Sequence, residues 1–401
     1  MPIAQTTHAA EHPTKTTPSG RVLESAEYIS RCSRDVHVPD AGVRQAAQEI
    51  MRRMQRTGYS TADWKRHALN PSVADAEALE WIFVVDALNF SFWSANTLQP
   101  ADESNNNNNE EEKQGDAGGT RSSRQRYTVT LDGTAYTGYW TLCAAVNRAL
   151  REGTAMTDAA FYSRITDAEA AHVFRTDDAA AQEAIPLLGE RVRVLREVGG
   201  VLREKYGGKF ANLVGQCAGS AQRLVELVVR DFPCFRDEHW FAGRPVQLYK
   251  RAQILVADVW ACFEGAGLGR FDDIDSITMF ADYRVPQALC RFGALQYSDR
   301  LLDFLRASER SVRAAGSEQD SHRLTKACPP ARPGLLPSGH AWEVEIRGSS
   351  VWAVELIRRR IAECGVGVNA VLIDFYLWDY AKDHPEEMQT IPIHLTRSVF
   401  Y

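Results

Sequence analysis

Apolar residues recur at spacings of three and four along most of this chain of 401 residues. Such spacing places apolar side chains on one face of an α-helix, where they can pack on a common core. The pattern therefore predicts a chain built mainly from α-helices. The predicted helices cover residues 43–56, 139–151, 167–173, 185–206, 220–230, 246–266, 276–293, 298–306, 352–364 and 369–383.

Few segments have the composition of β-strands. Residues 81–85 (WIFVV) and 127–131 (YTVTL) are short runs of β-branched and aromatic residues that we expect to pair as a ribbon. Residues 343–346 are a further strand candidate. The predicted fold class is therefore mainly α, with a small β ribbon.

Three segments have the composition of irregular chain. Residues 1–21 are polar and rich in Thr, Ala and Pro, which predicts a disordered tail. Residues 101–125 contain five consecutive asparagines followed by three glutamates, a composition that cannot bury apolar surface and predicts an exposed insertion. Residues 311–340 contain several prolines and predict an irregular loop within the folded region.

Composition excludes several classes of protein. The net charge of −6 argues against direct nucleic-acid binding, which needs a basic face. There is no apolar run long enough to span a membrane, and the N-terminus lacks the apolar core of a secretory signal. Eight scattered cysteines without a C-x-x-C pair are typical of reduced thiols and give no zinc motif. We therefore expect a soluble cytoplasmic protein without a metal site.

Residues 279–289, MFADYRVPQAL, place Asp282 and Arg284 in an otherwise apolar run that Pro286 interrupts. Proline has no N–H for a helix and disfavours helical geometry at the residue before it. A charged pair is costly to bury without partners. Two interpretations are open: a structural ion pair at a helix end, or a catalytic carboxylate at Asp282.

A turn with three glycines at positions 265, 267 and 269 precedes this run. A helix leads into the turn, whereas a dinucleotide-binding loop follows a strand, so we predict a tight connection between two helices. Asp272 or Asp273 would then cap the second helix, which would end at Asp282.

Two further blocks combine aromatic rings with carboxylate or amide groups, as a pocket for a planar heterocycle requires. In residues 374–384, DFYLWDYAKDH, the combination is Trp378 with Asp379. The other block, DALNFSFW, has the alternative of a turn that packs its rings into the core. Its candidates are Asp86, Asn89, Phe90 and Trp93.

Lys250 interrupts the apolar stripe of the predicted helix over residues 246–266. One interpretation is a cation that covers the edge of the core with its aliphatic stem and reaches water. The other is a contact with phosphate or substrate near Asp282.

Six blocks in order resemble the queuosine salvage protein family: DALNFSFW, YTGYW, YKRAQILVAD, FDDIDSITMFADYRVPQ, EVEIRGSS and IDFYLWDY. The resemblance covers nearly all of residues 22–401 outside the insertion and the loop, so this would be the catalytic region. It implies a helical fold related to the helix-hairpin-helix DNA glycosylases. It also implies hydrolysis of the N-glycosidic bond of queuosine 5'-phosphate, which releases queuine for return to tRNA.

Such a reaction develops oxocarbenium character at the sugar, which a nearby carboxylate stabilises. The resemblance gives this role to Asp282, with Tyr283 and Arg284 orienting it or contacting substrate. Because queuine is a 7-deaza base, it lacks the nitrogen at which a purine leaving group is usually protonated. The scheme needs no metal or organic cofactor, and its partner is the small nucleotide.

The remaining expected contacts follow the chemistry of the substrate. Asp86 or Asp379 would pair with the cationic secondary amine of queuine, and Asn89 would bind the edge of the base. Lys250 would meet the 5'-phosphate or the sugar. The expected stacking residues are Phe90, Trp93, Tyr139 and Trp140. A protein that binds queuine or its nucleotide without cleaving it is the alternative.

The insertion is predicted to be dispensable, because its polar residues cannot contribute to a core. Deleting residues 105–112 should leave the thermal midpoint and the rate of base release unchanged. Loss of activity in the deletion variant, measured beside the full chain, would contradict this prediction.

Overall fold

The structure is a computed structural model that describes residues 18–93, 127–177, 184–315 and 335–401. Most of these residues lie in helices, which confirms the mainly α fold class. The helices are α1 (Pro18–Cys32), α2 (Asp40–Thr57), α3 (Thr61–Arg66), α4 (Ala76–Ala87), α5 (Tyr139–Arg151), α6 (Ala159–Tyr162), α7 (Asp167–Val173), α8 (Leu188–Lys205), α9 (Phe210–Gly215), α10 (Ala221–Asp231), α11 (Lys250–Cys262), α12 (Val285–Arg291), α13 (Asp299–Ala315), α14 (Ala341–Glu363), α15 (Ala370–Asp383) and α16 (Pro385–Met388).

Six short strands in the described ranges form three antiparallel pairs. They are β1 (Val36–His37) with β6 (Gln296–Tyr297), β2 (Val129–Leu131) with β3 (Thr134–Tyr136), and β4 (Glu238–Phe241) with β5 (Arg244–Gln247). The predicted strand at 127–131 thus exists, but it pairs with β3 rather than with residues 81–85. Asp132 and Gly133 join β2 to β3, and both have positive φ (52° and 77°), as a tight hairpin turn requires.

Two strand predictions were wrong. Residues 81–85 lie in α4, and residues 343–346 lie in α14. All ten residues from Ala78 to Ala87 are buried, so α4 is surrounded by protein on every side. A helix buried all round has no polar face and therefore shows no helical period in its sequence.

The helix predicted over residues 276–293 was wrong in its first half. Residues 277–284 are neither helix nor strand, and the helix α12 begins only at Val285, with Pro286 in its first turn, where proline is favoured. The backbone N–H of Thr278 donates to Gln253 of α11, and that of Phe280 donates to Asp374 of α15. Side chains of neighbouring helices have thus replaced the helical hydrogen bonds of this segment.

The predicted cap residue Asp273 serves a different helix. Asp273 accepts hydrogen bonds from the Ser220 hydroxyl (2.8 Å) and the Ala221 N–H (2.6 Å), so it caps the start of α10. A 3-10 turn over Ile274–Ser276 follows it. The helix expected between the glycine turn and Asp282 is therefore absent, while the wider likeness to helix-hairpin-helix glycosylases stays a prediction.

Helix α14 lies at the centre of the fold and packs on α1, α2, α12 and α15. At Gly348 an added Cβ would come within 2.5 Å of Ile29, so glycine permits α1 to approach this closely.

Helix α1 starts at Pro18, inside the predicted tail, and α13 extends to Ala315, inside the predicted loop. The predicted insertion (101–125) lies outside the described residues, as do residues 1–17 of the tail and 316–334 of the loop. The described helices include none that is long and apolar enough to cross a membrane.

A buried ion pair connects α14 to the rest of the core. The guanidinium of Arg347, fully buried, donates to both Asp237 carboxylate oxygens (3.0 and 2.6 Å) and to Glu343 (3.1 Å). Its Nε donates to the carbonyl of Ala281 (2.8 Å), the residue before Asp282. Asp237 also accepts from the backbone N–H of Lys250 (3.2 Å). This pair therefore fixes the backbone at Ala281, next to Asp282, and at Lys250.

Replacing Arg347 by Met should lower the free energy of unfolding by about 3–5 kcal/mol, because two buried carboxylates, Asp237 and Glu343, lose their guanidinium partner and Asp237 keeps only the ring of His239 as a side-chain partner among the described residues. Urea unfolding at pH 7 measures the effect. As a control, Arg358→Met removes a partly exposed partner of Glu355 and should cost about 1 kcal/mol or less.

The same pair predicts a pH dependence. Burial tends to raise the pKa of Asp237, but the charge of Arg347 outweighs this effect and holds the pKa well below its usual value. A lowered pKa stabilises the fold above the unfolded-state value of about 3.9, and this stabilisation is lost as the pH falls below it. The stability difference between the wild type and Arg347→Met should therefore shrink below about pH 4, and a constant difference would contradict the assignment.

Candidate active site

A cavity of about 460 Å³ opens among α5, α11, α15 and the irregular segment 277–284 before α12. Its volume lies within the range of about 300–1,000 Å³ that is typical of small-molecule sites. Nine of the eleven site residues proposed from the sequence line it: Asn89, Trp93, Tyr139, Trp140, Lys250, Asp282, Tyr283, Arg284 and Asp379.

Asp282 lies in the irregular segment 277–284, three residues before the start of α12. Its Oδ1 accepts hydrogen bonds from the backbone N–H groups of Arg284 and Val285, both at 2.8 Å. The guanidinium of Arg284 donates to Gln287 Oε1 (3.0 Å) rather than forming a salt bridge with Asp282. The backbone thus orients this partly exposed carboxylate, and the interpretation as a structural ion pair is not supported.

Lys250, the first residue of α11, lies beside Asp282. Its ammonium donates to the carbonyl (3.2 Å) and the side-chain oxygen (3.1 Å) of Asn89. The side chain is 5% exposed, so the interpretation as a snorkelling cation was wrong. Burial raises the pKa of Asp282, and the charge of Lys250 opposes that rise. Lys250 therefore favours the ionised form of Asp282.

Three more carboxyl groups surround these two residues. Asp374 accepts from the N–H of Phe280 (2.9 Å), while Asp86 and Asp258 each have one buried oxygen without a hydrogen-bond partner. Burial raises the pKa of Asp86 to about 7, and burial with neighbouring carboxylates raises those of Asp258 and Asp374 well above the usual value. Burial therefore favours the neutral form of these groups, in which a carboxyl group can donate a hydrogen bond or a proton.

The sequence contained signals for the two carboxyls that were missed. Asp258 follows Lys250 by eight residues on α11, and both line the cavity. Asp374 precedes Trp378 by four residues on α15, so both lie on one helical face. If the faces of α11 and α15 that line the cavity had been known, this spacing would have placed Asp258 and Asp374 on them.

Aromatic rings form one wall of the cavity. The rings of His67 and Trp140 are stacked, with centroids 3.3 Å apart and planes inclined by 6°. Trp378 meets Trp140 and Tyr139 edge to face, at 5.9 and 6.1 Å. Trp93 lies elsewhere in the lining, and the Arg397 guanidinium covers one of its faces at 3.6 Å. Trp378 was singled out from the sequence only as part of the block with Asp379, and His67 was not singled out. The place of both rings in this wall depends on tertiary packing.

Two of the proposed residues do not line the cavity. The ring of Phe90 is fully buried between the guanidinium groups of Arg191 (4.5 Å) and Arg251 (5.2 Å), so the expected stacking on the base was wrong. Asp86 is also fully buried and accepts from the Asn89 amide (3.3 Å). Its charge therefore acts on the site through Asn89 and Lys250.

Asp379 lines the cavity and is paired with a tyrosine. The hydroxyl of Tyr59 donates to Asp379 Oδ2. Burial raises the pKa of Asp379 to about 6, although this hydrogen bond opposes the rise. The carboxyl is therefore mostly ionised at pH 7 and can pair with a cation.

The family model described as queuosine salvage protein matches residues 69–328 and 321–401 of the chain. The chain belongs to the queuosine salvage protein family. Proteins named queuosine 5'-phosphate N-glycosylase/hydrolase are similar over nearly their whole length. The relative from Mus musculus is 42% identical, covering 94% of this chain and 98% of its own. The relative from Schizosaccharomyces pombe is 40% identical (95% and 99%), and that from Sphaerobacter thermophilus is 34% identical (96% and 97%).

In this member of the family, Lys250→Met should raise the pKa of Asp282, because the variant loses the cation that opposes the effect of burial. A titration of ¹³C-labelled aspartates by NMR measures that pKa, with the signal assigned by Asp282→Asn. Lys209→Met, on the surface beside Glu77, is the control and should cause no shift. An unchanged titration in Lys250→Met would show that Lys250 does not act on Asp282.

Proposed function

We propose that this chain hydrolyses the N-glycosidic bond of queuosine 5'-phosphate and releases queuine for salvage into tRNA modification. The observation that carries the reaction is the similarity to proteins of that name over nearly the full length. The cavity adds support, because it is large enough for a nucleotide and contains an oriented carboxylate among aromatic rings.

Asp282 is the proposed catalytic residue. As the C1'–N9 bond breaks, its electron pair goes to the base and positive charge develops on the sugar, which the carboxylate of Asp282 stabilises. Water supplies the hydroxyl that ends on C1', either directly or after a covalent intermediate at Asp282, and the proton that the water releases restores the carboxyl group that protonates the base. The departing base gains a proton, and Asp374, kept neutral by burial and by the charge of Asp282, is suited to donate it.

The base would lie against the aromatic wall. Trp140 and Tyr139 offer ring surfaces there, and Asn89, held by Lys250, offers hydrogen bonds to the edge of the base. The carboxylate of Asp379 suits the cationic amine of queuine, since charge-assisted hydrogen bonds are the stronger kind. Tyr283, beside Asp282 in the lining, would contact the sugar.

The substrate is proposed to be the free nucleotide rather than a residue within tRNA. The net charge of −6 is unfavourable for binding a polyanion, whereas the cavity accommodates one small ligand. We place the reaction in the cytoplasm, where the freed base is close to the tRNA pool.

Replacing Asp282 by Asn should lower the rate of queuine release at least about 100-fold, because the neutral amide cannot stabilise the developing positive charge. Free queuine is measured by mass spectrometry after incubation with queuosine 5'-phosphate. Asp272→Asn, which alters an exposed carboxylate paired with Arg270, is the control and should keep full activity.

Binding of the nucleotide, measured by calorimetry, should persist in Asp282→Asn. A wild-type protein that binds the nucleotide but releases no queuine across the pH range would be a binding protein, and the enzymatic proposal would be wrong. An Asp282→Asn variant with activity within tenfold of wild type would move the catalytic role to another residue.

A further inference from the structure

Residues 389–401, which follow α16, form neither helix nor strand and are held by hydrogen bonds to the chain that follows α4. The indole N–H of Trp93 donates to the carbonyl of Thr396 (3.0 Å). The backbone N–H of Ser91 donates to the carbonyl of Tyr401 (2.9 Å). These bonds fix the place of Tyr401, which lines the cavity although only 3% of its surface is exposed.

The ring of Tyr401 covers the buried guanidinium of Arg347. The Cζ atom of Arg347 lies 4.0 Å from the centre of this ring. The phenol is neutral at pH 7, because burial raises the pKa of Tyr401 well above its usual value. The contact is therefore a cation–π interaction rather than an ion pair, and such contacts contribute most where they are desolvated.

Of these two side chains, only the tyrosine faces the cavity. Arg347 is fully buried, whereas Tyr401 contacts it and also lines the cavity. The ring thus lies between the cavity and the guanidinium that is paired with Asp237. Solvent beside that pair would weaken it, because the attraction between charges falls as the effective dielectric constant rises. A ring at this place therefore keeps the pair desolvated.

The Arg347–Asp237 pair acts on the candidate site through two hydrogen bonds. Arg347 donates to the carbonyl of Ala281, next to Asp282, and Asp237 accepts from the backbone N–H of Lys250. Both bonds keep their geometry only while the guanidinium and the carboxylate stay paired. A change at Tyr401 would therefore loosen the backbone at two places in the site.

We propose that Tyr401 is a positioning residue for the hydrolysis: its ring shields the Arg347–Asp237 pair from solvent and so fixes Asp282 and Lys250. The proposal rests on the proposed function, in which Asp282 stabilises the charge on the sugar. Displacing a catalytic group by about 1 Å can cost about 100-fold in rate. Loss of the ring should therefore affect turnover more than substrate binding.

The test compares two variants of Tyr401 with a matched control. Tyr401→Leu keeps apolar bulk but has no aromatic face, whereas Tyr401→Phe keeps the ring. The control is Tyr28→Leu, which removes a ring outside the cavity that the guanidinium of Arg244 covers at 3.7 Å. Both leucine variants thus lose a cation–π contact, and only one of them lies beside the candidate site.

In Tyr401→Leu, kcat for release of queuine from queuosine 5'-phosphate should fall about tenfold or more, while KM should change less than about threefold. Tyr401→Phe should recover most of kcat, because its ring can cover the guanidinium in the same way. Tyr28→Leu should match the wild type. The rates are compared at a temperature at which circular dichroism shows every variant to be folded.

Hydrogen exchange gives a second measurement that does not depend on activity. The backbone N–H of Lys250, which donates to Asp237, should exchange about tenfold faster in Tyr401→Leu than in the wild type. It should keep the wild-type rate in Tyr401→Phe and Tyr28→Leu. The amides of α8 should exchange at the wild-type rate in all three variants.

A kcat of Tyr401→Leu within twofold of the wild type would overturn the proposal. Equal losses in Tyr401→Leu and Tyr401→Phe would also overturn it, because they would assign the effect to the hydroxyl group. Exchange that accelerates equally in α8 would do the same, since it would indicate general destabilisation. Failure of the proposed function is a different result, because the wild type would then release no queuine. The exchange of the Lys250 amide would still test the shielding in that case.

Discussion

The buried pair of Arg347 and Asp237 is the interaction on which the geometry of the cavity most depends. Arg347 comes from the central helix α14, and its guanidinium bonds Asp237, Glu343 and the carbonyl of Ala281. Asp237 in turn bonds the N–H of Lys250. One desolvated pair therefore holds the backbone next to Asp282, the proposed catalytic carboxylate, and at Lys250. Desolvated charges hold such positions rigidly because losing either partner is so unfavourable.

Two further buried arginines position the end of α4, in this case by donating to backbone carbonyls. Arg191 and Arg251 donate to the carbonyls of Phe90 and Ala87 at the end of α4, where the helix leaves its carbonyls unsatisfied. The ring of Phe90 is held between them, and Asn89 is turned towards Lys250. The aromatic residue that looked suited to the ligand is thus structural, and the amide beside it lines the cavity.

Much of the fold followed from the sequence, because most helices have one polar and one apolar face. The failures occurred where that contrast disappears. Helix α4 is buried on every side, so its sequence resembles a strand. Residues 277–283 have helical spacing but give their hydrogen bonds to Gln253 and Asp374, partners more than twenty residues away. The spacing of apolar residues within a segment cannot indicate partners so distant in sequence. Here the tertiary contacts, and not the spacing, decide the backbone conformation.

The sequence by itself determined the helical class, the family and most of the residues that meet in the cavity. Blocks of aromatic and charged residues in a fixed order along the chain can be recognised without knowing their positions in space. Only the tertiary structure decided which of them face a ligand. It turned Phe90 into the core and brought Asp258 and Asp374 into the cavity that Asp282 lines. The physical reason is that burial, hydrogen bonding and charge depend on neighbours distant in sequence, which no local spacing specifies.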